Sequence, residues 1–175
     1  MGSSITVWVV VAVLLFWAVG AYQRLLSTRS QIESAFGPLG IEFSQFVVLV
    51  QDSFSLTVEP DAPPAQAGLV GAALQFELSL RAARNNPLDN LALKALDTAY
   101  QALCTSWSRV NEEPPDLAGA AIPEALHEQW AQLSLRVDSA RFEFNQRVLA
   151  YNRAIEQFPA RVLARLMRLQ SAQSI

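Results

Sequence analysis

Residues Ile5 to Tyr22 read ITVWVVVAVLLFWAVGAY, eighteen residues with no charge before Arg24. As a helix at about 1.5 Å per residue this run reaches roughly 27 Å, close to the hydrocarbon thickness of a bilayer. Trp8, Trp17 and Tyr22 are amphipathic rings suited to headgroup level, although Trp17 could equally face lipid. A cleaved signal is the alternative, with Ala18-Val19-Gly20 as a small-residue site. Met1 to Thr6 lacks the basic side chains of a signal's first region, and the apolar run is longer than most signals carry. The expectation is therefore an uncleaved transmembrane anchor over residues 1–23. Arg24 and Arg29 follow the span and no basic side chain precedes it. The positive-inside rule then puts the N-terminus outside and the rest of the chain in the cytoplasm, on the inner membrane of a cell.

Residues 24–175 read as one helical domain. Prolines cluster in Thr57–Ala65 (TVEPDAPPA) and Asn111–Pro123 (NEEPPDLAGAAIP), and Asn85-Asn86-Pro87 makes a third break. Between the breaks apolar residues recur at helical steps of three and four. The first segment carries Ile32, Phe36, Leu39, Phe43, Phe46, Val50 and Phe54. The second carries Leu69, Ala73, Phe76, Leu80 and Ala83. The third carries Leu88, Leu91 or Ala92, Ala95, Ala99, Leu103, Trp107 and Val110. The fourth runs from Leu126 through Trp130, Leu133, Val137, Ala140, Phe144, Val148, Tyr151, Ile155 and Phe158 to Val162, a heptad seam with one additional step of four. No strand alternation competes. The fold expected is all-α: a transmembrane helix continuing into an antiparallel four-helix bundle with two long helices flanking two shorter ones. The fourth helix, taken from Pro123 to Ala172, would be roughly 75 Å long. Pro38 and Pro159 predict a kink in each long helix. Gly37 and Gly40 offer a place for a neighbouring backbone to come close.

Charge is unevenly spread. Ser30 to Leu135 holds four basic residues against thirteen acidic ones; Arg136 to Ile175 holds seven arginines against three acids. In an up-down-up-down bundle the fourth helix returns to the membrane, so Arg24, Arg29, Arg161, Arg165 and Arg168 are expected at the bilayer surface. Over Ala160 to Gln170, Val162, Leu163, Leu166, Met167 and Leu169 share one side of a helix, with Arg161, Arg165 and Arg168 on the other. Such a stretch either completes the bundle core or lies on an anionic leaflet.

The stretch Ser139 to Ala164, SARFEFNQRVLAYNRAIEQFPARVLA, resembles the C-terminal signature of the LemA family. There an Ala-Arg is followed by a Tyr-Asn-like pair, a second Tyr-Asn and a Phe-Pro. Here these fall at Ala140-Arg141, Phe144-Asn145, Tyr151-Asn152 and Phe158-Pro159. The opening AYQRLLSTRSQIESAF, Ala21 to Phe36, is also similar to the family's. Where family members carry a basic Arg-Arg-Tyr-Asp-Leu-Ile-Pro-like segment, this chain has IEFSQFVVLV over Ile41 to Val50, a divergent feature. The resemblance implies a single-pass bacterial membrane protein with an antiparallel helical bundle and no established enzymatic activity, often found beside membrane proteases or other envelope-maintenance proteins.

Asn145 and Asn152 lie seven residues apart, each one step from a seam position. Amides in a helical interface must find partners, and so fix register; the same pair could instead grip a ligand as a ladder.

Reactive chemistry is sparse. His127 with Glu124, Glu128 and Glu112 offers a metal one nitrogen ligand, where catalytic zinc usually has two or three; acids near a helix start are better read as complementing its dipole. Cys104 has no adjacent base and reads as an inert thiol. There is no nucleophile elbow and no Gly-rich phosphate loop, so no catalytic residue, metal or cofactor is expected. A pI of about 5.1 argues against nucleic acid as partner. Outside the apolar run 29 of 157 residues are charged, about 18%, against about 25% in a typical domain. A thin bundle so lightly charged leaves apolar strips exposed, which usually mark contacts. The function expected is a non-enzymatic scaffold or adaptor of the cell envelope, self-associating and meeting lipid and other membrane proteins, such as a membrane protease. The alternative is a lipid-surface or membrane-remodelling module working through Ala160 to Gln170.

Overall fold

The computed structural model describes residues 2–54, 63–112, 122–157, 160–167 and 169–175. Among the described residues five helices follow in order: α1 (Gly2–Ser53), α2 (Pro64–Asn85), α3 (Asn90–Glu112), α4 (Glu124–Glu156) and α5 (Ala160–Leu166). Among the described residues there is no strand. The protein is all-α, as its apolar spacing predicts. The long helices α1 and α4 pack on each other, α2 packs on both α1 and α3, and the short α5 touches α1 and α4.

The starts of the helices follow from local chemistry. Pro64 opens α2 at a position whose N–H would be unpaired anyway. Asp89 caps α3, its Oδ1 accepting from the N–H of Leu91 at 2.9 Å and of Ala92 at 3.4 Å. The Pro123 carbonyl accepts the first bond of α4 from Leu126 at 2.9 Å.

Among the described side chains, burial begins at Leu25. Before it, almost none of the apolar part of α1 is covered by the rest of the chain. Beyond it, Ile32, Phe36, Leu39, Phe43, Phe46 and Val50 are all buried, as are the expected positions of α2 and those of α4 from Leu126 to Val137. Aromatic rings fill the middle of the bundle. Phe43 meets Phe76 edge-on at 5.2 Å, Tyr100 lies 5.2 Å from Phe43, and Phe46 sits 4.6 Å from Trp130, geometries that favour ring quadrupoles.

Three expectations need correction. The start of α3 buries Leu93 and Leu96, with Leu88 and Ala92 packed against the core as expected, while Leu91 is 79% exposed and Ala95 faces out. Repeated steps of four drift off the seam, because the helix returns to one face every 3.6 residues on average. The fourth helix is also not one rod to Ala172. α4 ends at Glu156 with Gln157 in extended backbone (φ −78°, ψ 139°), and residues 169–175 are non-helical. Phe158 and Pro159 lie outside the described residues. The third concerns glycine. Gly37 has nothing near it, and at Gly40 the neighbour is the Arg84 side chain rather than a backbone. Arg84 donates to the Gly40 carbonyl, and a Cβ there would meet Arg84 Nε at 3.1 Å. Pro38 is exposed and α1 continues through it, so the carbonyl it leaves unpaired one turn back, that of exposed Ser34, is open to water.

Candidate functional site

The most organised polar constellation holds residues 169–175 against the bundle. Asn152 donates from Nδ2 to the Ala172 carbonyl at 2.9 Å and accepts at Oδ1 from the Ala172 N–H at 2.9 Å. Asn145 treats Ile175 the same way, at 2.7 and 3.0 Å. From the start of α3, Asn90 donates to the Ser171 carbonyl at 3.0 Å and accepts from the Gln173 N–H at 2.9 Å. The Tyr151 hydroxyl donates to the Gln170 carbonyl at 3.2 Å. Every one of these bonds reads main chain. The side chains of Ala172 and Ile175 turn inward and join the core, each 8% exposed.

The register has a simple origin. Seven residues of α-helix rise about 10.5 Å, and three residues of extended chain cover roughly 9–10 Å. Asparagines at 145 and 152 therefore meet residues three apart, 175 and 172, on a segment antiparallel to α4. Helical spacing singles out Asn145 and Asn152, and the structure gives their amides to the extended segment rather than to another helix. Asn90 goes unnoticed in the sequence; its only signal is a place just after the α3 cap.

A second feature lies where α1 leaves the bundle. Trp17, Arg24 and Leu25 line a cavity of about 330 Å³ with Ala154, Gln157 and Ala160. This brings the foot of α4 and the start of α5 to the level where the apolar run ends. Arg24 and Arg29 are exposed, Arg29 lying 3.5 Å from Glu33, a pairing worth little in solvent. Arg161 and Arg165 are exposed on α5. Arg168 lies outside the described residues, as do the side chains of Leu163 and Leu166. Val162 and Met167 are 59% and 42% exposed, so these two do not complete the bundle core.

The remaining candidates show structural roles. Arg141 reaches Asp97 at 3.1 Å and lies 5.3 Å over the Tyr100 ring. Burial pushes the Tyr100 hydroxyl far up, helped by its Cys104 neighbour and by the charge of Asp138, with Arg141 opposing. Burial likewise pushes the Cys104 thiol up, against the pull of its Tyr100 hydrogen bond and of Arg141. That is the opposite of an activated thiolate. Burial also raises the Tyr151 hydroxyl, with Arg29 opposing. His127 is half-buried with its ring 5.5 Å from Trp107 in an edge-on contact, while Glu112, Glu124 and Glu128 are exposed. Among the described residues no three His, Cys, Asp or Glu side chains are grouped to hold a metal.

On the outer face of α4, Leu135, Phe142 and Leu149 are 71%, 62% and 44% exposed. They stand seven residues apart, so they form a stripe distinct from the buried seam.

No curated protein and no solved structure matches the chain. The model of the LemA family matches residues 76–175, a span that holds α3, α4, α5, Asn90 and both asparagines of α4. The chain belongs to the LemA family.

Proposed function

We propose that this protein is a non-enzymatic, membrane-anchored scaffold of the bacterial cell envelope that joins copies of itself through the outer face of α4. The stripe of Leu135, Phe142 and Leu149 carries the reading. Apolar side chains repeating every seven residues on an exposed helix are what a second helix needs in order to pack. Family membership supports a LemA-like role, and the family is not a known enzyme family. Membrane attachment rests on α1, long and apolar enough to cross a bilayer and little covered by the bundle. The basic residues following the span favour a cytoplasmic bundle; reporters fused after Ile175, one active inside the cell and one outside, test that side.

Light scattering on the detergent-solubilised full chain tests self-association. The expected result is an oligomer that dissociates in Leu135→Glu/Phe142→Glu. A monomer at high concentration in the unaltered chain would sink the proposal.

A second reading is favoured by one observation: Val162 and Met167 are exposed beside Arg161 and Arg165. It makes the stretch from Ala160 a lipid-surface contact. In nanodiscs, anionic lipid should slow tryptic cleavage after Arg161 and Arg165 relative to zwitterionic lipid, and equal rates would remove this reading.

A further inference from the structure

We propose that Asn90, Asn145 and Asn152 form a binding groove for extended peptides, and that residues 169–175 are its resident occupant. The ligand class is a segment of another polypeptide with a small residue followed three positions later by an aliphatic one.

The contacts set this segment apart from an ordinary piece of core. Three asparagines each engage it with both donor and acceptor, always on main chain. Such bonds supply affinity without regard to sequence, and selectivity comes from the side chains that point inward. Here those are Ala172 and Ile175, while Gln170, Ser171 and Ser174 are exposed. Buried positions three apart suit the three-residue turn of polyproline II geometry rather than the two-residue alternation of a strand. The segment adds few apolar side chains to the core, and the aromatic cluster around Phe43, Phe76 and Trp130 lies on other elements. Local release therefore leaves the helices packed, in the manner of low-stability units that open on their own. When the segment leaves, three amide side chains and two apolar pockets are left facing water, ready for another chain of the same pattern. The resident segment then acts as a competitor, lowering apparent affinity by the fraction of time it occupies the groove.

The test uses the full chain in detergent and a fluorescein-labelled peptide LQSAQSI, the sequence of residues 169–175. In Ala172→Glu/Ile175→Glu the resident segment loses both inward side chains and the groove should be vacant. Anisotropy should show saturable binding to this variant, at least about tenfold weaker binding to the unaltered chain, and a loss of about tenfold or more on adding Asn145→Ala. A peptide N-methylated at the amides matching Ala172 and Ile175 should not bind. A helical variant with no saturable binding, or equal binding of the methylated peptide, overturns the proposal. Should the double variant lose its helical circular dichroism, hydrogen exchange on the unaltered chain decides. Amides of Ala172 and Ile175 exchanging about a hundredfold faster than those of Leu133 and Val137 support local release, and a common rate overturns it.

Discussion

The indole rings of Trp107 and Trp130 lie nearly parallel, 6° apart with centroids separated by 4.2 Å. Both are buried, and they join α3 to α4 near the end of the bundle far from Arg24. Truncating a buried tryptophan costs about 3–5 kcal/mol. Trp130→Ala should lower unfolding stability in denaturant by that amount, and should abolish the far-ultraviolet exciton couplet in circular dichroism that two stacked indoles produce. Retention of the signal would disprove the stacking.

Removing the Asn152 amide leaves both main-chain groups of Ala172 without their partner. Asn152→Ala should cost about 1–3 kcal/mol. Amide exchange at Ala172 should accelerate well before exchange in α2, which the segment does not touch through any of its asparagine bonds. Uniform acceleration along the chain would mean that the segment is inseparable from the global fold.

Alkaline pH should destabilise the protein. Folding raises the thiol of Cys104 above its ordinary 9.0, and the hydroxyls of Tyr100 and Tyr151 above 10.0, in each case chiefly by burial. The unfolded chain thus releases these protons first. Stability is fully present below pH 9 and declines as pH rises past the ordinary values toward the raised ones. Urea midpoints measured at intervals between pH 8 and 11 should fall, and Cys104→Ala should flatten the earliest part of the decline.

Arg141 opposes the rise at both Tyr100 and Cys104. Arg141→Met keeps much of the aliphatic stem, removes the cation from Asp97 and from the Tyr100 ring, and should cost about 1–2 kcal/mol. Without the guanidinium the Cys104 thiolate becomes still scarcer, so alkylation of the folded variant at pH 9 should slow further. Faster alkylation at unchanged stability would contradict the arrangement.

Much of the architecture was legible from residue spacing. Phe36, Leu39, Phe43, Phe46 and Val50, like Trp130, Leu133 and Val137, stand at three- and four-residue steps, and that period reports a buried helical face directly. Leu91 and Leu93 show where spacing fails: near a helix start either phase looks acceptable, and only packing against the neighbouring helix decides. The asparagine contacts to residues 169–175 were half legible. Asn145 and Asn152 carry a seven-residue signal, but Leu169 reads as part of a helical stripe and residues 171–175 carry no pattern, because an extended segment held by side-chain amides needs no periodicity of its own. Asn90 stays hidden for the same reason; its partners at 171 and 173 are some eighty positions away.

The unbroken run of α1 from Gly2 to Ser53 has a mechanical consequence. From Tyr22 to Ser53 the helix measures about 46 Å, so rocking its apolar portion by about 10°, well within the tilts such helices adopt, sweeps the opposite tip by roughly 8 Å. With α1 in a bilayer as proposed, leverage of that kind would carry a change in bilayer thickness straight to Phe43 and Phe46, with no intervening loop to absorb the torque.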